Sequence, residues 1–144
     1  MSVVPQTLIA LVLWKDRIAA VARGLRAEAG GSRWALGRDY AAFLSHYKKE
    51  AAADARLMKD KLTDALGVPI FLDSDDLSDL RSLCDEVTKS DVLILFLTRD
   101  LLTRPWCLVE LHAALTNDIP IVAVRVAGAF PYDFEDAQKF LDGE

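Results

Sequence analysis

Apolar residues fall along this chain in short blocks, and the spacing within each block predicts an element. From Gln6 to Ala29, Leu8, Leu11, Val12, Ile18, Val21 and Leu25 recur at helical intervals, and Gly30-Gly31 ends the pattern. Residues 30–39 read as a linker. Tyr40-Ala-Ala-Phe-Leu-Ser45 is a brief apolar run closing on polar residues, the pattern of a buried strand. Ala51, Ala55, Met58, Leu62 and Leu66 then mark a helix with Gly67 at its C-cap. Val68 to Asp73 predicts a second strand, and Leu77, Leu80, Cys84 and Val87 a second helix. Val92-Leu-Ile-Leu-Phe-Leu97 is continuously apolar, as a strand covered on both faces should be. Pro105 opens a third helix reaching about Thr116. Ile119 to Val126 predicts a fourth strand and Phe134 to Leu141 a short last helix.

Strands alternating with helices imply an α/β fold, a parallel sheet with helices on both faces. The expected architecture is a flavodoxin-like three-layer sandwich with strand order 2-1-3-4, preceded by an N-terminal amphipathic helix and linker over residues 1–38. The globular domain then spans residues 39–144. In this order the sheet reverses direction between strands one and three, and ligands bind outside the carboxyl ends of the strands at that point. Two loops are thereby singled out, Ser45 to Lys49 and Thr98 to Trp106.

Composition narrows the function classes. The chain has 144 residues, 52% hydrophobic and 27% charged, which suits one folded domain. Its formal net charge of −5 argues against a nucleic-acid partner. Cys84 and Cys107 lie in helix-like apolar segments and read as free thiols of a reducing compartment. His46 and His112 show no metal-ligand spacing with cysteine. The apolar run Leu8 to Trp14 is far shorter than the roughly 20 residues of a bilayer span. It also lacks a signal peptide's flanks. A soluble, cytoplasmic protein with no membrane partner is expected.

The candidate chemistry sits on the third helix, in Trp106-Cys-Leu-Val-Glu-Leu111. Trp106 and Glu110 are four apart and share a helix face. At the mouth of a switch-point crevice, the ring can stack on a base. The carboxylate can bind ribose hydroxyls and stabilise an oxocarbenium-like centre. The plainer alternative packs Trp106 on the sheet and leaves Glu110 as a solvated helix residue. Burial preferences alone favour that alternative. Under the catalytic reading, loss of the Glu110 carboxylate is expected to lower turnover by orders of magnitude and barely touch folding.

Three stretches resemble TIR (Toll/interleukin receptor) domains. Tyr40-Ala-Ala-Phe-Leu-Ser-His46 resembles the family's first strand. Ile70-Phe-Leu-Asp73 followed by Leu77 is similar to its second strand and BB loop. Trp106-Cys-Leu-Val-Glu-Leu111 looks like its Trp-Cys-x-x-Glu-Leu box, clearest in plant members. The stretch Phe71-Leu-Asp-Ser-Asp-Asp-Leu77 is similar to algal and protist members. The resemblance implies two functions, cleavage of the nicotinamide–ribose bond of NAD+, or assembly through homotypic contacts with other TIR domains or copies of itself. For the first it implies Glu110 as catalytic residue and Trp106 as its aromatic neighbour. Ser45, Lys48 and Phe43 from the first strand and its loop, with Asp76 and Leu77 from the BB loop, are then the substrate-binding candidates. It implies NAD+ as substrate, with no separate cofactor and no metal.

The sequence also departs from the family. Ala41 stands where an acidic residue is usual, and Tyr47 and Lys48 where an Arg often follows the first strand. The BB loop is short and lacks its usual Gly, and the chain ends soon after strand four, so a fifth strand is expected to be missing. Other readings rank lower. Asp73 and Asp75 mimic the Asp-x-Asp of haloacid-dehalogenase-type phosphatases, but no later acidic pair follows a strand. A calcium loop would need Gly at Ser78 and Glu at Cys84. Ser45-His46 lacks a nucleophile elbow and points to opposite faces of a strand. The acids Asp73, Asp75, Asp76 and Asp79 are otherwise explained by the following helix, with Ser74 or Asp76 as its cap.

Overall fold

The computed structural model describes residues 34–73 and 79–143. The expected helix of Gln6 to Ala29, and Asp76 and Leu77 of the BB loop, lie outside the described residues. The elements run β1 (Ala42–Ser45), α1 (Lys48–Leu66), β2 (Ile70–Leu72), α2 (Leu80–Thr88), β3 (Leu93–Leu97), a 3-10 turn (Leu101–Thr103), α3 (Pro105–Thr116), β4 (Ile121–Arg125) and α4 (Phe134–Asp142). The strands form a parallel sheet in the order β2-β1-β3-β4. This is the expected topology, and its switch point lies between β1 and β3.

Alternation along the strands sorts the core into two layers. Phe43 of β1 and Leu93, Leu95 and Leu97 of β3 pack with Leu83 and Val87 of α2 and Cys107, Ala113 and Ala114 of α3. Ala42 and Leu44, with Ile94 and Phe96, pack on Ala51 and Ala55 of α1. All five residues of β3 are buried, which is why its sequence is apolar without alternation. In β4, Ile121, Val122, Ala123 and Val124 are only partly covered, consistent with its place at the edge of the sheet.

Local chemistry fixes the ends of the elements. Gly67 closes α1 in the left-handed region (φ 67°), its N–H donating to the Thr63 carbonyl. Pro105 sits in the first turn of α3, where its missing N–H costs nothing. The cap of α2 differs from expectation. Asp79 occupies the N-cap, and its side chain accepts from the Arg81 N–H. A carboxylate adjacent to the first turn takes that role, rather than one several residues earlier. The strands are also shorter than their apolar runs. Val68 and Pro69 precede β2, and Pro69 contributes only its carbonyl, to the Ala41 N–H.

The second half of the expected linker is pinned. Asp91 accepts from the Trp34 indole at 2.9 Å and the Gly37 N–H at 3.1 Å, and Arg38 donates to the Ser90 carbonyl at 3.0 Å. These bonds lie just before β3, at the opposite end of the sheet from the switch-point loops.

Candidate functional site

β1 delivers Ser45 to the carboxyl end of the sheet. Its backbone pairs opposite Leu95 of β3. On the same side of the sheet, α3 brings Glu110 over that strand end. The Ser45 hydroxyl donates to Glu110 Oε2, and both side chains are buried, at 1% and 3% exposure. Glu110 is therefore not a solvated helix residue, and the expectation that its truncation barely touches folding is corrected. The four-residue offset puts Trp106 and Glu110 on one flank of α3. Their surroundings differ because Trp106 lies one turn nearer the helix start. It is 39% exposed, so it is not the plain core residue that the alternative reading required.

Burial sets the electrostatics. Glu110 loses hydration, and its carboxyl is pushed up from an ordinary 4.5 to about 8. The Ser45 hydroxyl pulls the other way by bonding to the charged form, Asp73 raises the value further, and Lys48 lowers it. Near neutral pH the resting site thus holds a largely protonated carboxyl. One turn earlier on α3, burial pushes the Cys107 thiol up to about 12, with the neighbouring Glu110 acting in the same direction. That thiol stays protonated and unreactive. Cys84 and Cys107 are both free.

Two contacts tie the start of α3 to the β1–α1 connection. The Cys107 thiol points to the His46 carbonyl at 3.6 Å, and the Arg104 guanidinium lies 4.7 Å from the centre of the Tyr47 ring. Glu50, in the first turn of α1, accepts from the Asp100 N–H at 3.1 Å. The loops after β1 and β3 are thereby stapled together around the site.

The remaining predicted residues divide. Lys48 opens α1, its Nζ 3.9 Å from the Asp73 carboxylate at the end of β2. It belongs to the same cluster as Glu110, through charge. Phe43 is fully buried and stacks on Phe71 with ring centres 5.1 Å apart. It supports the site from within the core and has no surface to offer a ligand, which corrects its expected role as a direct contact. Asp76 and Leu77 lie outside the described residues. His46 turns to the opposite face from Ser45, its ring edge-on to Phe96, as strand alternation requires. His112 is exposed.

Asp73 and Cys107 were not foreseen as neighbours of Glu110, nor was the Arg104–Tyr47 contact at the rim. Only the Cys107–Glu110 spacing, one helical turn, carried a signal in the sequence. The other contacts bring separate elements together. A groove of about 440 Å³ between α2 and α3, lined by Cys84, Leu108 and His112, lies away from this cluster. Among the described residues, no group of acidic, His or Cys side chains could hold a metal ion.

Comparison with known proteins places this geometry in context. The family model described as "TIR domain" matches residues 43–142. Among solved structures, the TIR domain of the Toll-related receptor TRR-2 from the lower metazoan Hydra magnipapillata is similar in fold. It shows a TM-score of 0.51 and 16% identity over 71% of this chain and 90% of that one. No curated protein matches the sequence.

Proposed function

The chain belongs to the TIR domain family, and from that premise we propose that it cleaves the nicotinamide–ribose bond of NAD+, with Glu110 as the catalytic carboxylate. The observation that carries this reading is the buried acid at the switch-point mouth, bonded to Ser45 and flanked by the half-exposed ring of Trp106. A carboxyl kept out of water with its affinity for protons raised is characteristic of functional sites.

The chemistry follows from the charge of the substrate. The nicotinamide ring of NAD+ is cationic, and a cation entering beside Glu110 favours the ionised carboxyl and drives off its proton. Nicotinamide then departs with the bonding electron pair, leaving positive charge on the ribose. The carboxylate, in a site poor in water, stabilises that charge. Addition of water, with loss of its proton, gives linear ADP-ribose. Attack by a nitrogen of the adenine gives the cyclic product. Trp106 shapes the aromatic wall, and Lys48 suits the pyrophosphate. No metal or separate cofactor is needed for these steps. Kinship with algal, protist and plant members rests on the Phe71–Leu77 stretch and the Trp106–Leu111 box.

A second reading makes the domain an assembly module that binds other TIR domains or itself without turnover. The feature favouring it is α4, where Phe134, Phe140 and Leu141 are 48%, 48% and 66% exposed. Such apolar side chains on one short helix suit a protein contact. The readings are compatible if assembly precedes turnover. Both suit a cytoplasmic signalling role, and no helix among the described residues is long and apolar enough to cross a membrane.

Product analysis tests the proposal. NAD+ incubated with concentrated protein is expected to yield nicotinamide and ADP-ribose, linear or cyclic, in equal amounts. Intact NAD+ after the same incubation would leave the assembly module as the function.

A further inference from the structure

We infer that Ser45 is the positioning residue of Glu110, fixing the orientation of its carboxyl in the site. This rests on the reading of Glu110 as the functional carboxylate, and it gives Ser45 a different part from that of a substrate contact. The Ser45 hydroxyl is 1% exposed and already engaged by Glu110 Oε2. A side chain so placed engages the carboxyl and offers almost nothing to solvent.

The two partners come from rigid elements. Ser45 is the last residue of β1, whose backbone is paired with β3 on one side and β2 on the other. Glu110 stands in the second turn of α3, whose start is held by the Cys107–His46 and Arg104–Tyr47 contacts. A carboxyl clamped between a strand end and a helix keeps one orientation, which a functional group needs. A hydroxyl donating to a carboxyl also serves the charged form better than the neutral one. The other groups bearing on Glu110 are Asp73 from the end of β2, which opposes ionisation, and Lys48 from α1, which assists it. Cys107 on α3 is a neutral thiol and cannot replace either. Lys48 lies 3.9 Å from Asp73, whereas the Ser45 hydroxyl donates directly to Glu110 Oε2.

The test is the titration of Glu110 followed by NMR on protein carrying ¹³C in its glutamate carboxyls, with Glu110→Gln identifying the resonance. Wild type, Ser45→Ala and Ser45→Thr are compared, each first shown to melt cooperatively. In Ser45→Ala the titration is expected to move to higher pH, roughly a ten- to hundredfold rise in proton affinity. Ser45→Thr keeps the hydroxyl and should titrate near wild type. With NAD+ as substrate, Ser45→Ala should lose kcat/KM by a similar factor near neutral pH and recover part of it at alkaline pH, where the carboxyl is ionised in both proteins. A Ser45→Ala titration that coincides with wild type would overturn the inference. So would a KM raised to the same degree at neutral and alkaline pH with kcat unchanged, which would make Ser45 a substrate contact. The carboxyl titration needs no turnover. It therefore decides the role of Ser45 even if NAD+ is left intact, a result that would sink only the proposed activity.

Discussion

At the residue scale, Glu110 ties stability to pH. Its carboxyl titrates near 8 in the folded protein, against an ordinary value of 4.5. Between those values the folded state holds a proton that the unfolded chain has lost. Stability contributed by this group is therefore full below about 4.5, falls as pH rises through the interval, and levels off above about 8. Replacing Glu110 with Gln keeps a partner for Ser45 and removes the titration. Thermal melts should show Glu110→Gln less sensitive to pH across that interval, and above it more stable than wild type by on the order of a few kcal/mol. Glu110→Ala behaves differently, because it strands a buried hydroxyl. It should lose about 1–3 kcal/mol at acid pH, where the wild-type carboxyl is neutral. Gln is thus the variant to use when activity is compared. Trp106, half exposed, should tolerate truncation with a loss near 1 kcal/mol or less by denaturant unfolding, while KM for NAD+ rises. Glu110 became a candidate through its spacing from Trp106 together with the resemblance carried by the Trp106–Leu111 box. Its burial was not visible, because helix periodicity cannot say that a strand from elsewhere ends beneath it with a serine.

At the scale of elements, sequence pattern and structure agree where one force dominates. The uninterrupted apolar run of Leu93–Leu97 could only be a strand covered on both faces, and it is. Gly67 was legible as a cap because the apolar repeat of α1 stops there, and its positive φ explains the choice of residue. No atom would lie within 4 Å of an added Cβ at this position. Gly67→Ala should therefore destabilise through backbone conformation alone, by about 1–2 kcal/mol in chemical denaturation. A larger loss would reveal a packing role that the open surroundings do not suggest. Boundaries were less legible. Which of several acids caps α2 depends on a difference of a few residues in a stretch where all of them are plausible caps. The core role of Phe43 was likewise hidden, since its neighbour Phe71 comes from another strand. Phe43→Ala should cost about 3–5 kcal/mol, far more than Trp106→Ala, although both belonged to one candidate set.

For the whole molecule, alternating strands and helices together with right-handed crossovers leave few arrangements, and the order β2-β1-β3-β4 is among them. That topology pointed to the loops of the candidate site before any side chain was placed. The contacts that staple its rim, Arg104 on Tyr47 and Glu50 on the Asp100 amide, were not readable. They join residues some fifty positions apart, and no local pattern records them. On the proposed reading in which assembly precedes turnover, with the exposed apolar residues of α4 as the contact, NAD+ cleavage should rise more steeply than protein concentration. The measurement closest to the central claim is nicotinamide release from NAD+ by wild type and Glu110→Gln, at equal concentration and at a pH above 8. The account predicts steady release by wild type and a loss of several orders of magnitude in a variant at least as stable. Equal release by both proteins would contradict it, and would remove Glu110 from the chemistry.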